Sequence, residues 1–165
     1  MTEPGVTPIV RRLGPDQWRT YRGVRLRALR NAPTAFGSTL AGERGLTERE
    51  WRARLASRAQ FVATVGSRTV GTAAGIQAEG EGAELISMWV APRFRGTGVG
   101  SQLVSAVLDW ALAKGFHTVH LWVAAENLAA ERRYARHGFT RTGATQPVTA
   151  GRPDRCEFAM ARRLD

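Results

Sequence analysis

Glycines at positions 96, 98 and 100 stand where a β-like apolar stretch gives way to a helix-period stretch, and this junction constrains the fold more than any other feature of the chain. Glu84 to Val90 reads as a buried strand that Ala91-Pro92 stops. After Arg95-Gly96-Thr97-Gly98-Val99-Gly100, the residues Val99, Leu103, Val107 and Trp110 recur at helical spacing as far as Lys114-Gly115. Thr118 to Val123 then alternates, with Val119, Leu121 and Val123 on one face and Thr118, His120 and Trp122 on the other. Strand, helix and strand over residues 84–123 make a parallel crossover, and so an α/β fold.

Antiparallel elements surround this unit. Residues 6–13 alternate weakly and read as a first strand. Pro15-Asp16 opens a helix that runs to about Arg30 and ends at Asn31-Ala32-Pro33, because the residue before proline is pushed out of helical geometry. Thr47-Glu48-Arg49-Glu50 is a capping box that starts a second helix over 48–58. Residues 61–65 and 69–78 form a hairpin about Gly66-Ser67-Arg68. A short helix over 127–137 ends at Gly138, and strands near 139–143 and 155–162 follow, making the sheet mixed. The chain of 165 residues suits one domain over 1–165.

Composition narrows the chemistry. A lone cysteine, Cys156, excludes an internal disulfide; it alternates with Phe158 and Met160 and reads as core. With three histidines and no thiol cluster, no metal site is expected. No stretch approaches the roughly 18 apolar residues of a membrane span, and the first ten residues lack a signal-like pattern, so a soluble, cytoplasmic protein is expected. The formal charge is +10, and residues 1–58 carry 12 basic side chains against 5 acidic ones. Such an excess attracts anionic ligands, acidic proteins or nucleic acid.

The glycine loop leaves backbone N–H groups unpaired at a helix start, backed by the helix dipole, where a pyrophosphate approaches closely for want of β-carbons. Arg95 adds a cation at its rim. A P-loop would need Lys-Ser/Thr after the last glycine, and Ser101-Gln102 stands there instead. A dinucleotide fold would place this loop after the first strand, whereas here it follows the fourth.

The segment Arg95-Gly96-Thr97-Gly98-Val99-Gly100, placed after Met88-Trp89-Val90-Ala91-Pro92, resembles the signature of the GNAT superfamily of acyl-CoA-dependent N-acetyltransferases. A second segment of that family is matched by Asn127, Ala130, Tyr134, Gly138 and Phe139, in the family's order. The resemblance implies a mixed, mostly antiparallel sheet of about seven strands with about four helices, whose central parallel strands splay to admit a pantetheine arm. It implies acetyl-CoA as cosubstrate and no metal. Main-chain groups of Trp89 and Val90 would bond the arm; Arg95, Gly96, Thr97, Gly98, Val99, Gly100 and Ser101 would hold the pyrophosphate, and Asn127 would touch the cofactor.

On the same resemblance, an acetyl group passes by direct attack in a ternary complex to a primary amine of a small molecule or peptide. Tyr134 is the acid that protonates the departing thiolate, and the Val90 N–H faces the oxyanion. Asn127 and Tyr134, seven apart, share a helix face; Asn127 also suits a helix cap. Glu84 is the base that takes the amine's proton; six residues before Val90, it is expected on Val90's face of the strand. Ser87, Glu79 and Glu81 are weaker candidates. His120 and Trp122 share a face towards the acceptor side, and His137 suits a helix end as a cation.

The acceptor pocket implied by the family draws on Trp18, Tyr21, Arg22, Arg25, Phe36 and a 145–154 loop. Residues 32–38 resemble a segment of small bacterial acetyltransferases. Homodimers of this family pair through late strands, where Phe158 or Val148 would serve. Two other functions fit the same residues. One is an acetyltransferase toxin acting on aminoacyl-tRNA, disfavoured because no Lys/Arg run exceeds two residues. The other is an acyl-CoA-binding regulator without turnover.

Overall fold

A helix lies flat on a strand only where the strand's side chains make room, and the third strand is built for this. The computed structural model describes residues 7–33, 35–149 and 152–164. Its elements are β1 (Ile9–Leu13), α1 (Trp18–Asn31), α2 (Leu40–Arg44), α3 (Glu48–Ala56), β2 (Ala59–Val65) and β3 (Arg68–Gln77). There follow β4 (Ala83–Val90), α4 (Val99–Ala113), β5 (Thr118–Ala124), α5 (Leu128–Arg136), β6 (Thr140–Thr149) and β7 (Arg152–Arg163). Gly71, Ala73 and Gly75 of β3 point at α4. A β-carbon on Gly75 would stand 2.5 Å from the Trp110 ring, and one on Gly71 3.0 Å from Leu103 Cδ1. Glycine here is a packing requirement.

The seven strands form one sheet in the order β1-β2-β3-β4-β5-β7-β6. Every neighbouring pair is antiparallel except β4 and β5, which run parallel as the crossover demands. One face carries α4, with Leu103, Val104 and Val107 fully buried among Val70, Leu85 and Leu121. The other face carries α1 and α3, where Tyr21 meets Trp51 edge-on at 5.4 Å above Val62 and Trp89. Each such side chain contributes about 1.5–3 kcal/mol by leaving water. The capping box forms as expected: Glu50 N–H donates to Thr47 Oγ1 at 3.2 Å, and Thr47 N–H to Glu50 Oε2 at 2.6 Å.

Four expectations need correction or limits. The segment before the capping box holds a one-turn helix, α2, capped by the Thr39 hydroxyl, so there are five α-helices among the described residues. It is too short to show a period. The 145–154 loop is instead the ends of β6 and β7, with residues 150 and 151 outside those described. Residue 6, expected in the first strand, also lies outside them. Cys156 is exposed, whereas Phe158 and Met160 farther along β7 are buried. No helix among the described residues is long and apolar enough to cross a membrane.

Placing valine at position 75 drives two extra methyls into Trp110. Gly75→Val is expected to cost about 1–3 kcal/mol in urea unfolding, with Gly66→Ala on the open β2–β3 turn as a control for backbone strain alone.

Candidate functional site

Pairing between β4 and β5 stops almost where it starts. Only Ala83 with Val119 and Glu84 with His120 are in register, while β4 runs on to Val90 and β5 continues along β7 as far as Ala124 opposite Glu157. The cause lies in β4. Ser87 has φ of 57°, a left-handed conformation foreign to a strand, and the ladder with β3 slips between Thr72 and Ala74, so β4 carries one residue more than its partner. The bulge bends β4 away from β5.

The extra residue also inverts which side chains face which layer. Ala83 and Leu85 pack with α4, but so does Val90, whereas Trp89 joins the cluster under α1 and α3. Glu84 and Val90 therefore do not share a face, contrary to the period-two expectation. The backbone changes accordingly. Ala91 N–H bonds Val70 O at 2.8 Å, so alternation turns the main-chain groups of Trp89 to β3 and those of Val90 to the gap. Of the two residues expected to meet a pantetheine arm through the main chain, Val90 stands at the gap and Trp89 does not.

Between the splayed strands lies a cleft of about 650 Å³. Glu84, Ser87 and Met88 line it from β4, Trp122 from β5, and Asn127 and Tyr134 from α5. The seven-residue spacing on α5 thus brings Asn127 and Tyr134 to one cavity. Asn127 also caps its helix, its Oδ1 accepting from Ala130 N–H at 3.1 Å. Tyr134 is 5% exposed, packs edge-on to Phe139 at 5.9 Å, and has no hydrogen-bond partner for its hydroxyl among the described residues. Burial pushes its pKa up to about 12, so the hydroxyl holds its proton until it has a base to give it to. The Glu84 carboxyl is raised as well, first by burial and then by the charges of Glu157 and Glu79. Glu79 and Glu81 themselves sit exposed in the β3–β4 turn.

The glycine loop joins the end of β4 to α4. Gly96 and Gly98 have φ of 76° and 92°, and Gly98 is the N-cap of α4. The first helical bond runs from Gln102 N–H to Gly98 O at 3.0 Å, which leaves the amides of Val99, Gly100 and Ser101 without helical acceptors. The Val99 side chain is core, and that of Ser101 lines a separate groove against β1. The Thr97 hydroxyl donates to Phe94 O. Arg95 turns inward. Its Nε bonds Val90 O at 3.0 Å and its Nη2 bonds Asn31 Oδ1 at 3.1 Å, an oxygen that also accepts from Trp89 Nε1 at 3.0 Å. Arg95 therefore ties the loop to α1. A second cation beside the loop belongs to a residue the motifs did not single out: Arg133 of α5, whose guanidinium crosses Gly100 so closely that a β-carbon there would lie 2.7 Å from Nε.

The third wall comes from the segment before α2. Arg25 is buried and forms two bonds to Glu43, Nε to Oε1 at 3.0 Å and Nη2 to Oε2 at 2.9 Å, while Arg54 Nη1 reaches Oε1 at 2.6 Å. The same Arg25 guanidinium stacks 4.7 Å from the Phe36 ring, and both residues line the cleft. Burial raises the Glu43 carboxyl, but the bonds and charge of Arg25, then of Arg54, outweigh it and leave the group below its ordinary value. Tyr21, expected in the acceptor pocket, is fully buried under Trp51, Trp18 packs beside the same cluster, and Arg22 does not reach the cleft. Val148 lines the cleft, and the Arg141 guanidinium lies 4.0 Å from the Phe158 ring. His120 stands opposite Glu84 in the β4–β5 register and flanks Gly82, outside the cleft. His137 closes α5, but burial and the neighbouring Arg162, Arg136 and Arg133 depress its pKa, which opposes the cation expected there.

This arrangement has counterparts. The Acetyltransferase (GNAT) family model matches residues 26–139, more than half of the chain. The chain belongs to the GNAT acetyltransferase family. An uncharacterized N-acetyltransferase of Mycobacterium bovis is 33% identical over 107 residues, which is 65% of this chain and 68% of that one. One from Methanocaldococcus jannaschii is 41% identical over 59 residues, but these are 36% of this chain and only 26% of that relative's length. The fold is also that of YncA, a putative acetyltransferase from Salmonella typhimurium solved with acetyl-CoA: TM-score 0.75 at 22% identity, over 96% of this chain and 94% of that one.

Replacing Glu43 by glutamine leaves Arg25 buried without its counter-charge. Glu43→Gln is expected to lose about 3 kcal/mol near neutral pH. Because the native carboxyl titrates below the ordinary range of a glutamate, its contribution is present above that range and lost as pH falls through the native value. Denaturation curves of the two proteins should converge in acid.

Proposed function

We propose that this protein transfers an acetyl group from acetyl-CoA to a primary amine of a small molecule or peptide, both substrates being bound together. The observation that carries the reading is the early end of β4–β5 pairing beside a buried tyrosine whose hydroxyl has no partner among the described residues. The residues present suit the cosubstrate. The edge of β4 left unpaired beyond Glu84 suits an extended pantetheine arm, and the amides of Val99, Gly100 and Ser101 with Arg133 suit a pyrophosphate. The cosubstrate supplies an acyl carbon activated as a thioester.

The chain's own groups then do three things. An alkylammonium, pKa about 10, has no lone pair at neutral pH, and Glu84 takes its proton directly or through water. A carboxyl raised towards neutrality is a stronger base than an ordinary one. The Val90 N–H is the donor at the carbonyl oxygen where negative charge develops. Tyr134, kept protonated by burial, gives its proton to the departing sulfur. Charge in the cleft suits an ammonium. Arg25 is neutralised by Glu43 and Glu126 is paired with Arg155 at 2.5 Å, whereas Glu84 and Glu157 have no cationic partner among the described residues. Glu157 accepts from Gln146 at 2.7 Å. In a chain of charge +10, this is a local reversal of sign.

Tyr134→Phe is expected to lower kcat roughly tenfold or more in a CoA-release assay while acetyl-CoA affinity changes little; normal turnover would reassign the acid. Glu84→Gln should lose most at low pH and progressively less as pH rises towards the amine's own pKa, since a deprotonated acceptor no longer needs a base. A deficit constant with pH would make Glu84 a structural residue.

A further inference from the structure

A second cavity, of about 730 Å³, opens on the α1 face of the sheet between α1, the start of β3 and the turn after β4. None of its lining residues lines the cleft between β4 and β5. Four arginines from three parts of the chain line it: Arg19 and Arg27 of α1, Arg68 of β3, and Arg93. No carboxylate lines it, and none of the four is ion-paired among the described residues, although Arg25, Arg52, Arg54, Arg141 and Arg155 all are. The floor is different in kind. Val24, Val70, Ala91 and Phe94 give it an apolar surface.

Two details indicate that this hollow is kept open and its charge kept in place. Arg27 Nη1 donates to Thr69 O at 2.7 Å and its guanidinium lies 5.6 Å from the Trp89 ring, which fixes one cation at the wall. Gly23 sits inside α1 and lines the cavity. Glycine weakens a helix interior, and nothing in the packing asks for it here: its φ is ordinary, and a β-carbon would meet no atom within 4 Å. What its absent side chain preserves is the volume of the cavity.

From this cavity we infer a second binding site, for a small organic anion with a flat apolar body and one or more phosphate or carboxylate groups. The apolar floor takes the body, and the arginine rim takes the charge through paired N–H bonds. Bare inorganic anions lack the first contact, and neutral aromatics lack the second. The site goes beyond the acetyl transfer proposed above and does not depend on it.

The test is calorimetric titration of the whole chain with 1-naphthyl phosphate, in the presence of saturating CoA to fill the cofactor cleft. Binding with a Kd below about 1 mM is expected, with inorganic phosphate at least roughly tenfold weaker. Arg68→Ala and Arg93→Ala should each weaken naphthyl phosphate about tenfold, and added salt should weaken it further. Gly23→Leu fills the cavity at a position with open space around it. It should abolish naphthyl phosphate binding while thermal stability holds or rises and CoA affinity stays unchanged. The inference is overturned if naphthyl phosphate does not bind, if CoA displaces it, if inorganic phosphate binds equally well, or if Gly23→Leu binds it as the parent does.

Discussion

The single extra residue in β4 is the constraint on which the working half of the molecule depends. A parallel pair in a closed sheet would satisfy its own backbone and leave no room between strands. With Ser87 at positive φ, β4 keeps its ladder to β3 on both sides of the bulge and gives up β5 instead. The cost is one strained residue and a run of unpaired backbone groups at the gap, Val90 N–H among them. Such groups in a protein interior call for a partner, and an extended amide-bearing arm is a chemically matched one.

Around that gap the remaining architecture acts as scaffolding. The small residues of β3 bring α4 close to the sheet, which sets where Gly98 and the amides after it stand relative to β4. On the opposite face the Arg25–Glu43–Arg54 group holds a helix of one turn that could not persist alone, and with it the segment bearing Phe36. Buried ion pairs are weak sources of net stability, but they fix geometry well. Here the geometry fixed is a wall of the cleft.

Much of this was legible in the chain. Alternation and helical period located β4, α4, β5 and the capped α3, since each is an amphipathic element whose apolar side faces one core. The spacing of Asn127 and Tyr134 predicted a shared cavity because both lie on one regular helix. What escaped were features that depend on partners distant in sequence. The bulge at Ser87 breaks the very period used to assign faces, so Glu84 was assigned to the wrong side of the strand relative to Val90. Arg95 is committed to Val90 O and Asn31, a contact 64 residues away that no local pattern announces. Arg133 carries a signal only in hindsight: a glycine at 100 and an arginine one residue before Tyr134. The exposure of Cys156 is not encoded by strand alternation, which it shares with the buried Phe158 and Met160.

Asn31 is the last residue of α1, and its one side-chain oxygen holds both the indole of Trp89 and the guanidinium of Arg95. The segment leading to Phe36 departs from that same residue. The end of α1, the indole on β4 and the loop at 95–101 are thereby held at a single atom, and none of the three can shift without straining a bond to another.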